Sequence, residues 1–469
     1  MSIVYLGLSL YRAVTKKQPS EKRNKRCVNK KLTFVLVQLS TQGLKNTQKR
    51  YTILIVNFRQ AKSAAVTVLI KDFEVFIMAR FVYADNAATT PVSPQVVEAM
   101  TPCFESTWGN PSSMHSKGRE AKALLDDARG RIASVLGCDS SEIYFTSCGT
   151  ESDNWAIKGA AYRMKKKGRT HIVTSAIEHH AVLHTCEALE REGFTVTYVG
   201  VDADGVVKLD EVRRAVTENT ALVAIMYANN EIGTIQPIPE ICEISHEKGA
   251  LMFTDAVQAV GNMEIDLSKL PVDMLALSGH KIHAPKGLGV LFIRKGVVIA
   301  NLVDGGGQER RRRGGTENLP YIVGLAKAME IARDRLPELD SVREKRDRLI
   351  AELTKIPYSK LNGHKTDRLP GNVNIGFEFI EGESVLLWLD IAGICASTGS
   401  ACSSASLEAS HVLIATGVPH EKAHGSVRLS ISHDTTDEDV DYIIETLPPI
   451  IEKLRNMSPL WEDVVKNNK

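Results

Sequence analysis

Between residues 143 and 255 short apolar runs take turns with longer amphipathic ones, and this alternation restricts the possible fold more than any other feature of the chain. Runs at 143–146, 171–175, 195–199, 221–226 and 251–254 have the length and β-branched content of buried strands. Helical periodicity separates them at 150–167, 181–192, 209–217 and 239–248, and Gly193 and Gly249 close the second and fourth of these. Strand and helix in rotation predict a mostly parallel sheet covered on both faces, an α/β fold. Further strands are expected at 274–278 and 287–294. Ser93-Pro94 caps a helix over 95–104, and Thr150-x-x-Asp153 reads as the Asp form of a capping box. One long helix over 320–353 then leads to a second unit. That unit has a strand at 372–377, helices at 383–392 and 407–415, a strand at 426–431 and a last helix from Asp437.

The chain is 469 residues long, enough for two domains with ample core. Its net charge of +2 conceals an asymmetry. Residues 1–77 carry 15 Lys/Arg against 3 Asp/Glu, a net of +12, which leaves −10 on the remainder. An acidic body argues against a nucleic-acid binder. Residues 1–77 interleave basic patches with apolar runs, none reaching the roughly 18–20 residues that span a bilayer. They are rich in Lys and Arg and poor in acids, which suits a transit peptide, yet they lack a clear amphipathic helix. They are expected to be disordered or the product of an upstream start. Eight cysteines without a CxxC pair or a regular framework suit free thiols in a reducing compartment, so a cytoplasmic protein is expected.

The chemistry-bearing residues fall at strand ends. Lys281 lies on the turn Gly279-His280-Lys281, flanked by small and polar side chains, and a partly desolvated lysine amine forms Schiff bases with carbonyl compounds. Asp255 and Gln258 follow the run 251–253. A carboxylate for a pyridinium nitrogen, a lysine for an aldehyde and donors for a phosphate are what pyridoxal 5′-phosphate (PLP) requires. The turn Ser147-Cys148-Gly149-Thr150 between strand and helix offers N–H groups and a hydroxyl to such a phosphate, although Thr at a helix start is by itself commonly just a cap. His179, followed by a His180 read as a surface residue, and Asn230, beside a structural Asn229, again lie just past strand ends. The basic run Arg310-Arg311-Arg312-Arg313 inside a glycine-rich loop suits a solvated loop or an anion site. Around Cys402 every side chain over 396–406 is small, so that loop has little to pack and can move. Cys395, Cys402 and His411 fit no common zinc spacing, and no metal is expected.

SGHKIHAPKG, residues 278–287, resembles the cofactor-lysine motif of the cysteine desulfurases within the class V aminotransferase group. The long loop GSACSSASLE resembles their nitrogen-fixation or iron–sulfur-cluster branch. The likeness runs from about Met78 to the end, over four-fifths of the chain. It implies the PLP-dependent aminotransferase fold type I: a large PLP-binding domain over 93–335 and a smaller α+β domain over 336–469, which the segment 78–92 joins. It also implies roles. Gly149, Thr150, Ser278 and His280 hold the cofactor phosphate, with Thr316 reaching the phosphate of the other subunit in a homodimer with composite sites. His179 stacks on the ring and exchanges protons, Asp255 binds the ring nitrogen and Gln258 the phenolic oxygen. Asn230 stands near cofactor and substrate, and Arg428 binds the carboxylate of L-cysteine. Lys281 carries the cofactor and acts as base, while Cys402 accepts the sulfur as a persulfide. The implied product is L-alanine, with sulfur passed to an iron–sulfur scaffold or another acceptor protein. Selenocysteine lyases and other class V enzymes look similar at Lys281 and Asp255, and the Cys402 loop is what separates them. A non-catalytic scaffold is disfavoured because lysine, aspartate and cysteine are all present.

Overall fold

The computed structural model describes residues 80–399 and 409–462, together with the backbone of three N-terminal strands, β1 (Leu32–Leu39), β2 (Tyr51–Phe58) and β3 (Thr67–Phe73). These three pair antiparallel in the order β1-β2-β3 and belong to a unit of their own, Met1–Phe81. The expectation of a disordered or start-derived segment falls otherwise on residues outside those described.

The second unit, Val82–Lys469, opens with the short strand β4 (Val82–Tyr83). Its centre is a seven-stranded sheet of β5 (Ile143–Thr146), β6 (His171–Ser175), β7 (Thr195–Val199), β8 (Thr220–Ala224), β9 (Leu251–Asp255), β10 (Met274–Ser278) and β11 (Gly289–Ile293). The order is β5-β11-β10-β9-β8-β6-β7; β11 runs against both its neighbours and the other pairs are parallel. β8, β10 and β11 are buried at every position, which is why they read as continuous apolar runs.

Both faces of the sheet are covered. On one lies α3 (Gly149–Lys165), whose Trp155, Ala156 and Ala160 share a core with Leu222, Phe253, Met274 and Leu291. The other carries α1 (Pro94–Glu105) and α2 (Ser116–Leu136), with Leu125 and Ile132 in one core with Val223, Leu275 and Val290. α2 has no counterpart among the expected elements. Its buried stripe of Ala121, Leu125, Ala128 and Ile132 has helical spacing, but it is diluted by eight charged residues in between and around it. Loops after β6, β7 and β8 lead into α4 (His180–Glu190), α5 (Leu209–Ala215) and α6 (Ile238–Glu247), and the loop after β9 leads to β10, so the strand ends that carry polar residues gather at one edge.

Two expectations need correcting. The continuous helix over 320–353 is divided: after α7 (Gln308–Arg311) come α8 (Leu319–Asp334), a 3-10 turn Leu336–Glu338 and α9 (Leu339–Leu353). Pro337 has no N–H to continue the first helix and clashes with its preceding turn. The capping box at Thr150 is also absent. α3 starts one residue earlier, its N-cap Cys148 makes no side-chain capping bond, and Asp153 is 1% exposed inside the helix.

A second core gathers Val342 and Leu349 of α9 with β13 (Asn372–Phe377), which lies between β12 (Ser359–Leu361) and β15 (Ser426–Ser430) in an antiparallel sheet. α10 (Gly382–Ile391) precedes β14 (Ile394–Cys395), which pairs parallel with β4. After α11 (His411–Ala415) and α12 (His420–Ala423), α13 (Asp437–Arg455) closes this layer, started by a capping box of Thr436 and Asp439. Among the described residues no helix is long and apolar enough to cross a membrane.

Candidate active site

Where strands β9 and β10 end against the start of α3, a cavity of about 310 Å³ opens. Gly149, Thr150, His179, Asn230, Asp255, Gln258, Ser278, His280, Lys281 and Arg428 all line it, so ten of the twelve candidate residues meet in one place. Thr316 is exposed and does not line this cavity. Cys402 lies outside the described residues, although Gly399 and His411, which flank its loop, are in the wall.

Lys281 ends a 3-10 turn directly after β10. Its Nζ donates to the carbonyls of Ala87 and Ala88 at 2.5 and 2.8 Å, and the amide of Gln258 donates to the same Ala87 oxygen at 3.0 Å. Two backbone carbonyls therefore aim the amine. Asp255 faces the α3 side of the sheet and takes the Val257 N–H on Oδ1 at 2.9 Å. Burial pushes its carboxyl up to about 6, against the pull of that N–H and of Lys281. Asp153, unforeseen as a site residue, points into the same wall. Its Oδ1 is buried without a hydrogen-bond partner, and burial, then Asp255 and Glu178, raise it well above the ordinary carboxylate range. Spacing alone could not reveal this, because i, i+3 from a helix-start Thr is equally the signature of a cap.

His179 caps α4, its Nδ1 accepting the Ala181 N–H at 3.1 Å, which leaves Nε2 carrying the ring proton. Burial, then the charge of Lys281, lowers its pKa to about 4, so the ring is neutral near pH 7. His280 is likewise lowered to about 4 by burial and then Lys281, and its Nδ1 meets Thr89 Oγ1 at 3.1 Å. His180, read from sequence as a surface residue, instead lines the cavity and stacks on His184, with His411 4.8 Å away between ring centres. Asn229 is structural as expected: it is fully buried, donates to Ile177 O and accepts from the N–H groups of Glu231 and Ile232.

Arg428, on β15, is 2% exposed. One Nη donates to Asp85 at 2.9 Å, the other to the Asn230 carbonyl at 3.0 Å, and Nε is buried with no partner among the described residues. A desolvated guanidinium N–H costs free energy until an acceptor arrives, and a carboxylate is the acceptor that fits its fork. Asp85 was not among the residues expected from sequence.

PLP fits this donor set. The N-terminus of α3 has no side-chain cap to occupy its first N–H groups, and a Cβ on Gly149 would come within 2.9 Å of Val257 and 3.4 Å of Ser278, so glycine keeps the phosphate end open. Lys281, Gln258 and Asp255 provide the amine, the amide and the anion that an aldehyde, a phenolic oxygen and a pyridinium nitrogen would meet.

The four-arginine run takes no part in the cavity: Arg310 and Arg311 are exposed, while Arg312 and Arg313 are half-buried. Glu309, Arg310 and Arg311 adopt left-handed backbone angles, φ 44°, 56° and 65°, each costing roughly 1–2 kcal/mol for a residue with a Cβ. Buried Glu309 holds them, taking two bonds from Arg129 at 2.8 and 2.6 Å and one from the Phe145 N–H at 2.9 Å.

The description Aminotransferase class-V matches residues 82–443. Among curated relatives, the chain is 58% identical over 380 residues to "Cysteine desulfurase IscS" of Methanosarcina thermophila, spanning 81% of this chain and 94% of that one. It is 52% identical to "Cysteine desulfurase IscS" of Clostridium botulinum, over 84% of this chain and all of that one. A solved structure titled "NIFS-LIKE PROTEIN" superposes with a TM-score of 0.76 at 42% identity, covering 80% of this chain and 100% of that one. With a cavity built for PLP and relatives this near in both sequence and shape, the chain belongs to the class V aminotransferases, in the cysteine desulfurase family.

Proposed function

We infer that the protein is a PLP-dependent cysteine desulfurase that converts L-cysteine to L-alanine and supplies sulfur for iron–sulfur cluster assembly. The observation that carries this is the pairing, in one cavity, of a backbone-aimed Lys281 with a buried Arg428 whose Nε lacks an acceptor. Bound PLP supplies the electron sink that makes a Cα proton labile. Arg428 takes the substrate carboxylate, relieving its own unpaired N–H, and Asn230 narrows the same end. Lys281 moves the Cα proton, and neutral His179 is in the right state to accept one near pH 7. Asp255 stays anionic toward the ring nitrogen, since a cation there opposes the burial that raises its carboxyl. Cys402, as thiolate, attacks the substrate sulfur; an S–S bond forms, the C–S pair returns to carbon, and protonation completes alanine.

We further propose a homodimer in which Thr316, exposed on its own subunit, completes the phosphate site of the other. The persulfide passes to a scaffold or other acceptor protein in the cytoplasm, a setting that the six unpaired cysteines among the described residues suit. Alanine and sulfide released from L-cysteine in the presence of a thiol reductant such as dithiothreitol, which returns the persulfide to thiol and sulfide, test the reaction, and borohydride reduction followed by peptide mapping tests the lysine. Equal release of both products and a label on Lys281 are expected. A label on another lysine, or no alanine, would sink the reading.

A further inference from the structure

The strained arginine loop is tied to the phosphate-facing turn by one ion pair that no part of the mechanism uses. Arg313 grips Glu151 with two parallel bonds, Nε to Oε1 at 2.8 Å and Nη2 to Oε2 at 3.0 Å. Glu151 in turn accepts the Ser147 N–H at 2.8 Å and the Ser147 hydroxyl at 2.5 Å. Ser147 begins the turn 147–150 whose later residues, Gly149 and Thr150, line the cavity, whereas Ser147, Glu151 and Arg313 do not. The pair is largely shielded, with side chains 23% and 13% exposed. Burial by itself would raise the Glu151 carboxyl, yet the Arg313 fork and the Ser147 bonds outweigh it and hold the group below its usual value.

The loop at the other end is rigid. Its base closes glycine on glycine: a Cβ on Gly314 would lie 2.7 Å from the Cα of Gly305, and the Gly314 N–H bonds Val303 O at 3.0 Å. Arg310 donates to Ile143 O at 2.7 Å and lies over the Tyr144 ring, while Glu309 is locked to Arg129. Arg313 therefore projects from a fixed frame anchored on β5, the strand that runs into the turn. A phosphate at the start of α3 also sits near an anionic Glu151, which would repel it unless Arg313 cancels the charge.

We propose that Glu151 and Arg313 are a positioning couple for the cofactor phosphate: they fix the Ser147 end of the turn to the rigid loop 305–315 and neutralise the carboxylate beside the anion site. The proposal rests on the PLP reading above and assigns these residues an effect on phosphate recognition without contact. It predicts selectivity. The cofactor-free protein would be titrated with PLP and with pyridoxal, which lacks the phosphate, following absorbance. Arg313→Gln, which frees the turn and leaves the carboxylate uncancelled, should lower the ratio of PLP to pyridoxal affinity at least tenfold, and Glu151→Gln, which frees the turn but removes the repelling charge, should lower it less, by about threefold, with pyridoxal binding unchanged within about twofold in both. The double variant should be no worse than either single one, because the two act as a unit. Arg313→Lys, which keeps charge and bulk but loses the two-pronged bond, should fall between and guards against a folding defect. Parallel loss of both ligands, an unchanged ratio or additive effects would overturn the couple. Failure of the unsubstituted protein to take up either compound would instead overturn the PLP reading, and the proposal with it.

Discussion

At the residue scale the histidine over the ring site gives a pH signature. His179 is held near a pKa of about 4 by burial, and next by Lys281, while an unfolded histidine titrates near about 6.5. Between those values the unfolded chain binds a proton that the folded one refuses, so this residue's contribution falls as pH drops from about 6.5 to about 4. His179→Asn keeps an acceptor for the Ala181 N–H and removes the titration. Compared by urea denaturation without cofactor, the variant should gain on the wild type by up to about 3 kcal/mol across that window. A constant difference between the two at all pH values would contradict the assignment. Cys402 gives the second test. Cys402→Ala should keep the cofactor spectrum and its response to L-cysteine, since Lys281, Asp255 and Arg428 are intact, yet alanine release should fall by roughly 10⁴–10⁶. Full activity on L-cysteine would refute the persulfide route, and activity kept on L-selenocysteine alone would point to a lyase. The residues readable from sequence were those whose chemistry is unusual at a strand end, such as Lys281 and Asp255. Asp85 and Asp153 escaped because a carboxylate in a loop or a first helical turn is ordinary until its burial is known.

At the element scale the same contrast holds. β5, β6, β7 and β10 have the bounds that their runs predict: β5, β6 and β10 are buried almost throughout and leave an uninterrupted apolar signal, whereas β7, at the sheet edge, shows through its β-branched content, Thr195, Val196, Thr197 and Val199. α2 was illegible because its narrow stripe sits among charges, and the break at Pro337 because helical spacing continues on both sides of it. β11 joins two parts of the site that are distant in sequence. Its first residue, Gly289, lies against the phosphate-facing turn: a Cβ there would meet the backbone of Cys148 at 2.7 and 2.8 Å and Thr146 Oγ1 at 2.8 Å. Backbone cannot yield as a side chain end can, so Gly289→Ala must displace the turn. It should cost about 1–3 kcal/mol of stability and weaken PLP binding more than tenfold, read by absorbance titration. Gly193→Ala, at a positive φ with open space around it, should reduce stability alone and leave cofactor affinity unchanged.

At the scale of the whole molecule the question is where the working unit begins. Among the described residues none that lines the cavity precedes Ala87, and the family match starts at residue 82. Removing residues 1–77 takes away a net charge of +12 and no site residue, so the remaining chain should fold, take up PLP and desulfurate L-cysteine at the full rate. Cutting a few residues further should not be tolerated. Val82 and Ala84 belong to the core of α9, β13 and α13, and β4 supplies the pairing for β14, from which the Cys402 loop departs. Asp85 is the carboxylate that meets Arg428, whose buried guanidinium would be left with an uncompensated charge, a loss of about 3–5 kcal/mol. A chain starting at residue 87 should therefore be insoluble or lack substrate binding, while one starting at 78 is fully active. Expressing both side by side and measuring melting temperature, cofactor content and alanine release decides the matter. An inactive or unfolded chain starting at 78 would show that the N-terminal segment is part of the enzyme, and an active one starting at 87 would show that Asp85 does not hold Arg428 in place.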